Sequence, residues 1–301
     1  MANTRSEWSQ TDLNRLLYVA VLACVCIYGY TSIDSDFVYL DDHILPRFFS
    51  FHSDPKNLLE IFSSWSGTRH FHRTESYFRP VMAASQIIDS TLSRWLFDSA
   101  VAGVYRMSNL VLHLANVFLI KDVLTIVAKK YGQPNLAAVV GKLGATLFAI
   151  HPALTFAVAW IMGRNEMWLA CFSLLSVRQL LNWMDSGEPK ALAFALIFYL
   201  AAFFTKESAL AILIVGGAFY FAAPASSSQS RRKTNLFVTS FAAAAAFGFL
   251  IRAQLFSGAP GSAPPFEVLL HSLAQAWQGA VVMLGKAFFP VSGLSNLPTR
   301  L

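Results

Sequence analysis

Two adjacent carboxylates, Asp41 and Asp42, are the residues whose type and position most directly suggest chemistry. They follow residues 16–33, an uncharged segment long enough to cross a bilayer as a helix. The pair is therefore expected just outside the membrane, at the start of a long polar loop. There a carboxylate could act as a general base beside a lipid-linked substrate. The sequence leaves open an ordinary solvated pair, or a cap for a following helix.

The composition of the chain predicts the kind of structure that positions these acids. Of 301 residues, 55% are hydrophobic and 13% are charged, and the mean hydropathy is +0.49. Soluble domains carry about 25% charged residues. The chain is therefore expected to be an all-α membrane protein, a multi-pass helical bundle of about eight spans. It forms one transmembrane domain over residues 1–301, without a soluble domain. The predicted spans are 16–33, 102–127, 136–150, 166–184, 191–204, 209–223, 236–251 and 268–289.

Residues 34–101 form the predicted first extracytoplasmic loop. Within it, residues 57–65 are expected to form a short helix, and Pro80–Phe97 a longer amphipathic helix along the membrane surface. Pro80 suits the first turn of that helix, because it has no amide hydrogen to leave unbonded. Residues 153–162 are apolar but too short to span alone, so we expect a re-entrant segment or an extension of a neighbouring helix.

Basic residues in short loops predict the orientation. They occur in the N-terminal segment and in two loops, and an even number of predicted spans separates these three segments, so all three lie on one side of the membrane. The residues are Arg5 and Arg15, Lys129 and Lys130, and Arg231, Arg232 and Lys233. The N-terminus is then cytoplasmic, and the loop 34–101 faces the periplasm or the ER lumen. The membrane would be a bacterial inner membrane or the ER membrane. The net charge of +6 reflects mostly this inside-positive bias, so nucleic acid is not an expected partner.

With this orientation, five polar clusters fall on the outer side of the membrane. Charges beside lipid are costly and are usually functional or paired. The predicted span 102–127 adds four polar residues within about 80° of one another on one helix face. Together these groups predict one outward-facing site. The five clusters are Asp41-Asp42, Arg79-Pro80, His151-Pro152, Gly163 to Glu166 and Thr205 to Ser208. The four residues on one face of span 102–127, which form a polar stripe, are Arg106, Asn109, His113 and Asn116.

Each group also has a purely structural interpretation. Arg79 could be an interfacial arginine that reaches toward water. Arg164 and Lys206 could merely lie at the ends of spans, each near its own acid, Glu166 or Glu207. The four-residue stripe could provide interhelical hydrogen bonds. His151 could simply end a helix before its proline.

An ordered series of short motifs resembles the GT-C class of integral-membrane glycosyltransferases. The motifs run in order from residue 37 to residue 210: FVYLDDHIL, SWSGT, SYFRPV, SNLVLHLAN, LFAIHPALTFAVAWIMGRNE and FFTKESA. The greatest similarity is to transmembrane O-mannosyltransferases that carry tetratricopeptide repeats, and to their repeat-free bacterial relatives. The resemblance implies an inverting transfer of a hexose, with mannose favoured, from a polyprenyl- or dolichyl-phosphate donor. The acceptor would be a hydroxyl, on protein or glycan, at the outer or lumenal membrane face.

The resemblance also implies roles for individual residues. Asp41 or Asp42 would be the catalytic base, and Arg164 and Lys206 would bind the donor phosphate. Arg79, Asn109 and His113 would line the site, and the outer clusters add His151, Glu166 and Glu207. Such transfer needs cations near the departing phosphate, where negative charge builds up. No cofactor is expected, although a divalent metal could supply the same charge neutralisation.

The chain departs from the family pattern in three ways. Phe156 stands where members commonly carry a glutamate, four residues after the proline of the His-Pro element. Single residues, Phe78 and Leu40, are inserted in the Tyr-Arg-Pro and Tyr-acid elements. About eight spans are expected rather than eleven or more, as in a fragment or a shortened relative. The missing glutamate makes a catalytically inactive relative one alternative, and a multi-pass transporter or lipid flippase is a second alternative from a different class of protein.

Overall fold

The computed structural model describes residues 18–19, 36–37, 40–63, 79–212 and 228–256, and this part is helical, without β-strands. Most of two predicted spans, 16–33 and 209–223, and all of a third, 268–289, lie outside the described residues. The α-helices are α1 (Ile44–Arg47), α2 (Phe49–His52), α3 (Asn57–Ser63), α4 (Pro80–Phe97), α5 (Ala102–Tyr131), α6 (Ala137–Ala149), α7 (Thr155–Ala159), α8 (Arg164–Ser186), α9 (Pro189–Thr205) and α10 (Ser228–Phe256).

Where the predicted spans fall within the described residues 102–205 and 228–256, the structure confirms them as helices, with small differences at their ends. Helices α5, α6, α8 and α9 match the predictions within a few residues, and 236–251 lies inside α10. Among the described helices, Ala102–Tyr131 alone is both long and apolar enough to cross a membrane. Shorter apolar helices are Pro134–Ala149, Pro189–Thr205 and Asn235–Ile251. The predicted number of spans therefore stays a prediction.

Helix α5 lies at the centre of the described bundle. It packs against α4, α6 and α8, while α9 packs against α8 and α10. Polar contacts link α5 to α8 near both ends, since Asn109 bonds to Arg164 and Lys130 forms an ion pair with Asp185. These two contacts show that α5 and α8 run in the same direction. A short turn with Gly187 at φ 72° reverses the chain from α8 into α9.

Small residues allow α6 to approach α5 closely. Ala137, Gly141, Ala145 and Ala149 follow one another at intervals of four, and all are buried. A β-carbon added at Gly141 would lie 2.8 Å from the backbone oxygen of Lys121. Spacing of this kind brings helix backbones together in membranes.

The outer surface of α6 is formed by large aliphatic side chains. Val139, Leu143 and Leu147 are 56–59% exposed. In soluble proteins large apolar side chains are usually buried, and α6 shows the opposite. The same is true of α9, where Phe194 and Ile197 are more than half exposed while the smaller Ala195 is buried. These described helices therefore enclose small residues and present large apolar ones to their surroundings.

Segment 150–163 is not one continuous helix. It consists of two 3-10 turns, Pro152–Leu154 and Ile161–Gly163, on either side of the single-turn α7. The prediction of an apolar segment too short to span is consistent with this geometry. Because the helix is interrupted, many backbone carbonyls here lack the partners that a helix would supply.

Helix α4 begins at Pro80 and ends at Phe97, as predicted, and Pro80 occupies its first turn. Five polar residues of α4 face inward. Ser85, Gln86, Asp89, Ser90 and Ser93 are buried, whereas Ile88, Leu92, Trp95, Leu96 and Phe97 are exposed. The prediction of a surface helix did not foresee this buried polar face, because it counted only apolar spacing.

Candidate functional site

Asp42 lies in a 3-10 turn, Leu40–His43, that leads into α1. Its side chain is completely buried, and its Oδ2 lies 3.9 Å from Nη2 of Arg106 on α5. The interpretation of Asp42 as a solvated loop acid is therefore wrong. The side chain of Asp41 lies outside the described residues, so its predicted role stays a prediction.

Arg106 attaches this turn to the rest of the site. Its Nη2 donates to the backbone oxygen of Asp36 at 2.6 Å, and its Nε donates to that of Ala159 at 3.3 Å. Asp36 precedes the acid pair and Ala159 ends α7. One buried guanidinium therefore connects α5, the acid-bearing turn and the irregular segment between α6 and α8.

The remaining stripe residues of α5 bond to the backbone of residues 149–167, which comprise the end of α6, the irregular segment and the start of α8. The Nδ2 of Asn109 donates to the backbone oxygens of Val158 and Trp160, each at 3.1 Å. His113 Nε2 lies 3.2 Å from the oxygen of Ala149, and Asn116 Nδ2 donates to that of Met167 at 2.9 Å. The alternative of interhelical hydrogen bonding thus describes the stripe in this structure. Buried carbonyls outside regular helices need such partners.

Arg164 is buried at the start of α8. Its Nε donates to Oδ1 of Asn109 at 2.6 Å, and its Nη2 donates to the backbone oxygen of Tyr105 at 2.5 Å. Its Nη1 forms an ion pair with Asp89 and donates to the oxygen of Ser85 at 3.4 Å. Arg164 does lie at a helix end, as the structural interpretation expects, but its ion-pair partner is Asp89 on another helix. Its predicted contact with a donor phosphate stays a prediction.

Asp89 was not identified as a functional residue from the sequence. Besides the ion pair, its Oδ1 accepts a 2.7 Å hydrogen bond from Ser108. Burial raises the pKa of the Asp89 carboxyl, while the Arg164 guanidinium and the Ser108 hydroxyl act in the opposite direction. Polar residues at 85, 89 and 93, four positions apart on α4, form the sequence signal that could have revealed it.

Lys206 follows the last residue of α9 and forms an ion pair with Glu166 in the first turn of α8. Both side chains are about one-third exposed. Lys206 thus lies at a helix end, as the structural interpretation expects, but the sequence did not reveal its pairing with Glu166 across the α8–α9 hairpin. The side chain of Glu207 lies outside the described residues.

Arg79 and His151 are half-buried. Arg79 immediately precedes α4. His151 follows the end of α6, and its Nδ1 accepts a 3.2 Å hydrogen bond from the amide of Ala153. The helix-ending interpretation of His151 is thus confirmed. Their predicted site-lining roles remain predictions.

The structure brings most of the predicted clusters together. The acid-bearing turn contacts Ile161–Gly163, the turn directly before Arg164. Arg164 and Glu166 share the first turn of α8, and Glu166 reaches Lys206. His113 lies farther along α5, seven residues or about 10 Å from Arg106. The candidate site is therefore formed where α5 and α8 begin and α9 ends.

Basic residues predicted on the opposite side of the membrane lie at the other ends of these helices. Lys130, near the end of α5, pairs with Asp185 near the end of α8. The Nζ of Lys233, in α10, donates to the backbone oxygen of Met184 at 2.9 Å. The two sets of polar residues that the sequence assigns to opposite sides are thus separated along the bundle.

Among the described residues, no group of three or more His, Cys, Asp or Glu side chains is arranged to hold a metal ion. Comparisons with protein-family models, curated proteins and solved structures find no match to this chain. The resemblance to the GT-C class therefore depends on the ordered motifs alone.

Proposed function

We propose that this chain is a multi-pass membrane glycosyltransferase of the GT-C type. It would transfer a hexose, mannose by resemblance, from a polyprenyl- or dolichyl-phosphate donor to an acceptor hydroxyl on protein or glycan. The observation that carries the proposal is that the first turn of α8 links the acid-bearing turn to Lys206, whose side chain is about one-third exposed. The two kinds of group that this chemistry requires, a carboxylate and a cation, occur at one end of the described bundle.

The membrane setting is supported by the surfaces of the helices. Only a third of the apolar window of Ala102–Tyr131 is buried, unlike a core helix of a soluble protein. Leu143 of α6 and Ile197 of α9 are more than half exposed. Large exposed apolar surfaces indicate a partner, and lipid is the partner that apolar surfaces on several helices fit. We propose that the acid-bearing end faces the outside or the lumen.

The proposed reaction uses the acids as the base. The acceptor hydroxyl oxygen attacks the anomeric carbon of the donor while a carboxylate takes the hydroxyl proton. The bond from the anomeric carbon to the phosphate oxygen breaks, and polyprenyl phosphate departs with the bonding electrons. Attack opposite the departing group inverts the configuration. Asp41 is the stronger candidate base, because Asp42 is enclosed and close to Arg106.

Lys206 is the proposed cation for the departing phosphate. Its side chain is 29% exposed, so a ligand at the surface could reach its ammonium group. In a site of low dielectric, an ammonium group stabilises developing negative charge more strongly than it would in water. Glu166 forms an ion pair with this ammonium group, and its carboxylate oxygens are negatively charged, as phosphate oxygens are.

Reconstitution tests this proposal. The purified protein would be inserted into lipid vesicles with polyprenyl-phosphate mannose, and sugar transfer would be compared with that of Asp41→Asn and Asp42→Asn. We expect Asp41→Asn to abolish transfer while its helix content and donor binding match those of the wild type. Equal transfer by all three proteins would eliminate the acid pair as the base. Movement of intact lipid that neither substitution changes would instead favour a flippase.

A further inference from the structure

We infer that Arg164 is a positioning residue, held by Asp89, and that it does not itself bind the donor phosphate. The statement about the donor depends on the proposed function. The clamp between Asp89 of α4 and Arg164 of α8 does not depend on it.

Every nitrogen of the Arg164 guanidinium already has a protein partner. An arginine has five N–H donors in a fixed planar arrangement. In this structure all three nitrogens of Arg164 have partners on α4 or α5, and the side chain is 2% exposed. A phosphate that bound two nitrogens of Arg164 would have to displace some of these partners, and loss of the Nη1 contact would leave the buried Asp89 carboxylate without its cation.

The location of Arg164 explains what the clamp positions. Arg164 directly follows the turn Ile161–Gly163, which contacts the turn that carries Asp41 and Asp42. Two residues later in α8, Glu166 pairs with Lys206. Fixing Arg164 therefore fixes the distance between the proposed base and the proposed phosphate-binding lysine. A catalyst loses rate when such groups are misplaced by about 1 Å.

Helix α4 is the other half of the clamp. Ser85 and Asp89 bond to Arg164, and Asp89 also accepts a hydrogen bond from Ser108 of α5. Ser90 Oγ lies 2.8 Å from the hydroxyl oxygen of Tyr105, whose backbone oxygen is another acceptor for Arg164. The buried polar face of α4 thus has a function, since it holds the start of α8 against α5.

A cycle of substitutions tests the clamp. Removing one member of a buried ion pair leaves an uncompensated charge, whereas replacing both members by apolar residues is far less costly. We expect Asp89→Leu and Arg164→Met each to lower Tm by about 5 °C or more. The double variant should recover at least half of that loss. Unchanged Tm in both single variants would overturn the clamp.

Ligand binding tests the positioning role, with Lys206→Met as the control. The probe is polyprenyl phosphate without sugar, and the readouts are its Kd and the kcat and KM of transfer. We expect the double variant to bind the probe with a Kd within about threefold of the wild-type value. Its kcat should be lower, while its KM should be unchanged. Lys206→Met should weaken binding about tenfold or more, by roughly 1.4 kcal/mol. A folded double variant that loses affinity as Lys206→Met does would overturn the inference.

Asp89→Asn gives a second, milder test should the double variant fail to fold. It preserves shape while releasing Arg164 from its counter-charge. A positioning residue predicts lower kcat with unchanged affinity for polyprenyl phosphate, whereas a phosphate ligand predicts tighter binding and would overturn the inference. If the wild type neither binds the probe nor transfers sugar, the proposed function fails. The Tm measurements then still decide whether the clamp exists.

Discussion

Lys206 and Glu166 form an ion pair that joins the end of α9 to the first turn of α8. The pair is separated by forty residues in sequence and belongs to two different motifs. Because each side chain is about one-third exposed, the pair lies where the bundle meets its surroundings rather than in its core. It is therefore open to competition by an anionic ligand, unlike the enclosed pair of Asp89 and Arg164.

This exposure predicts opposite effects for the two members of the pair. Glu166→Gln should tighten binding of polyprenyl phosphate by a few fold, because it removes a carboxylate that competes for Lys206. Lys206→Met should weaken the same binding. Neither substitution should change the free energy of unfolding by more than about 1 kcal/mol, since exposed ion pairs contribute little. Titration with polyprenyl phosphate and thermal unfolding measure the two quantities. Weaker binding by Glu166→Gln would contradict this prediction.

The pair of Asp42 and Arg106 is expected to matter for stability. Both side chains are buried, so removing either charge should cost about 3–5 kcal/mol. Arg106→Gln should cost more than Asp42→Asn, because Arg106 also donates to the backbone of Asp36 and Ala159. The double variant should be less destabilised than the sum of the singles, by about 1–3 kcal/mol. Unfolding of all four proteins in detergent gives the coupling, and strict additivity would refute it.

Close packing of α6 on α5 predicts a contrast between two glycines. Gly141→Ala should lower the free energy of unfolding by about 1–3 kcal/mol, because its β-carbon would be forced against the backbone oxygen of Lys121. Gly144→Ala is the matched control. Its β-carbon would meet the end of the Leu124 side chain, which can rotate away. Equal losses for the two variants, measured by thermal unfolding, would argue against backbone contact at Gly141.

Local sequence patterns predicted the helices well. Apolar periodicity indicated a helix beginning at Ala102, and the proline at position 80 indicated the start of α4. Both features depend on residues close together in the chain. The polar stripe of α5 was also predictable, because its four residues share one helix face.

Pairing between distant residues could not be predicted in this way. Arg164 lies next to Asn165 and Glu166 in sequence, yet its counter-charge is Asp89, seventy-five positions earlier. Asp89 lies in a serine-rich helix, where a single acid is typical of a solvated face. Only the packing of α4 on α5 and α8 excludes water from this position. The ion pair between Asp89 and Arg164 thus depends on tertiary packing, whereas the helices that carry it can be predicted from the local sequence.

The two ends of α5 are expected to lie on opposite sides of the membrane. Helix α5 is about 45 Å long, so its two ends would lie on opposite sides of a bilayer if it spans one. Ser99 precedes α5 and Gln133 follows it, and both are exposed. In a protein whose three native cysteines are replaced by alanine, a membrane-impermeant maleimide added outside should label Ser99→Cys in intact cells. Gln133→Cys should react only after the membrane is opened, because the basic residues Lys129 and Lys130 favour the cytoplasmic side. Labelling of both cysteines from outside would show that α5 does not span, and labelling of Gln133→Cys alone would reverse the proposed orientation.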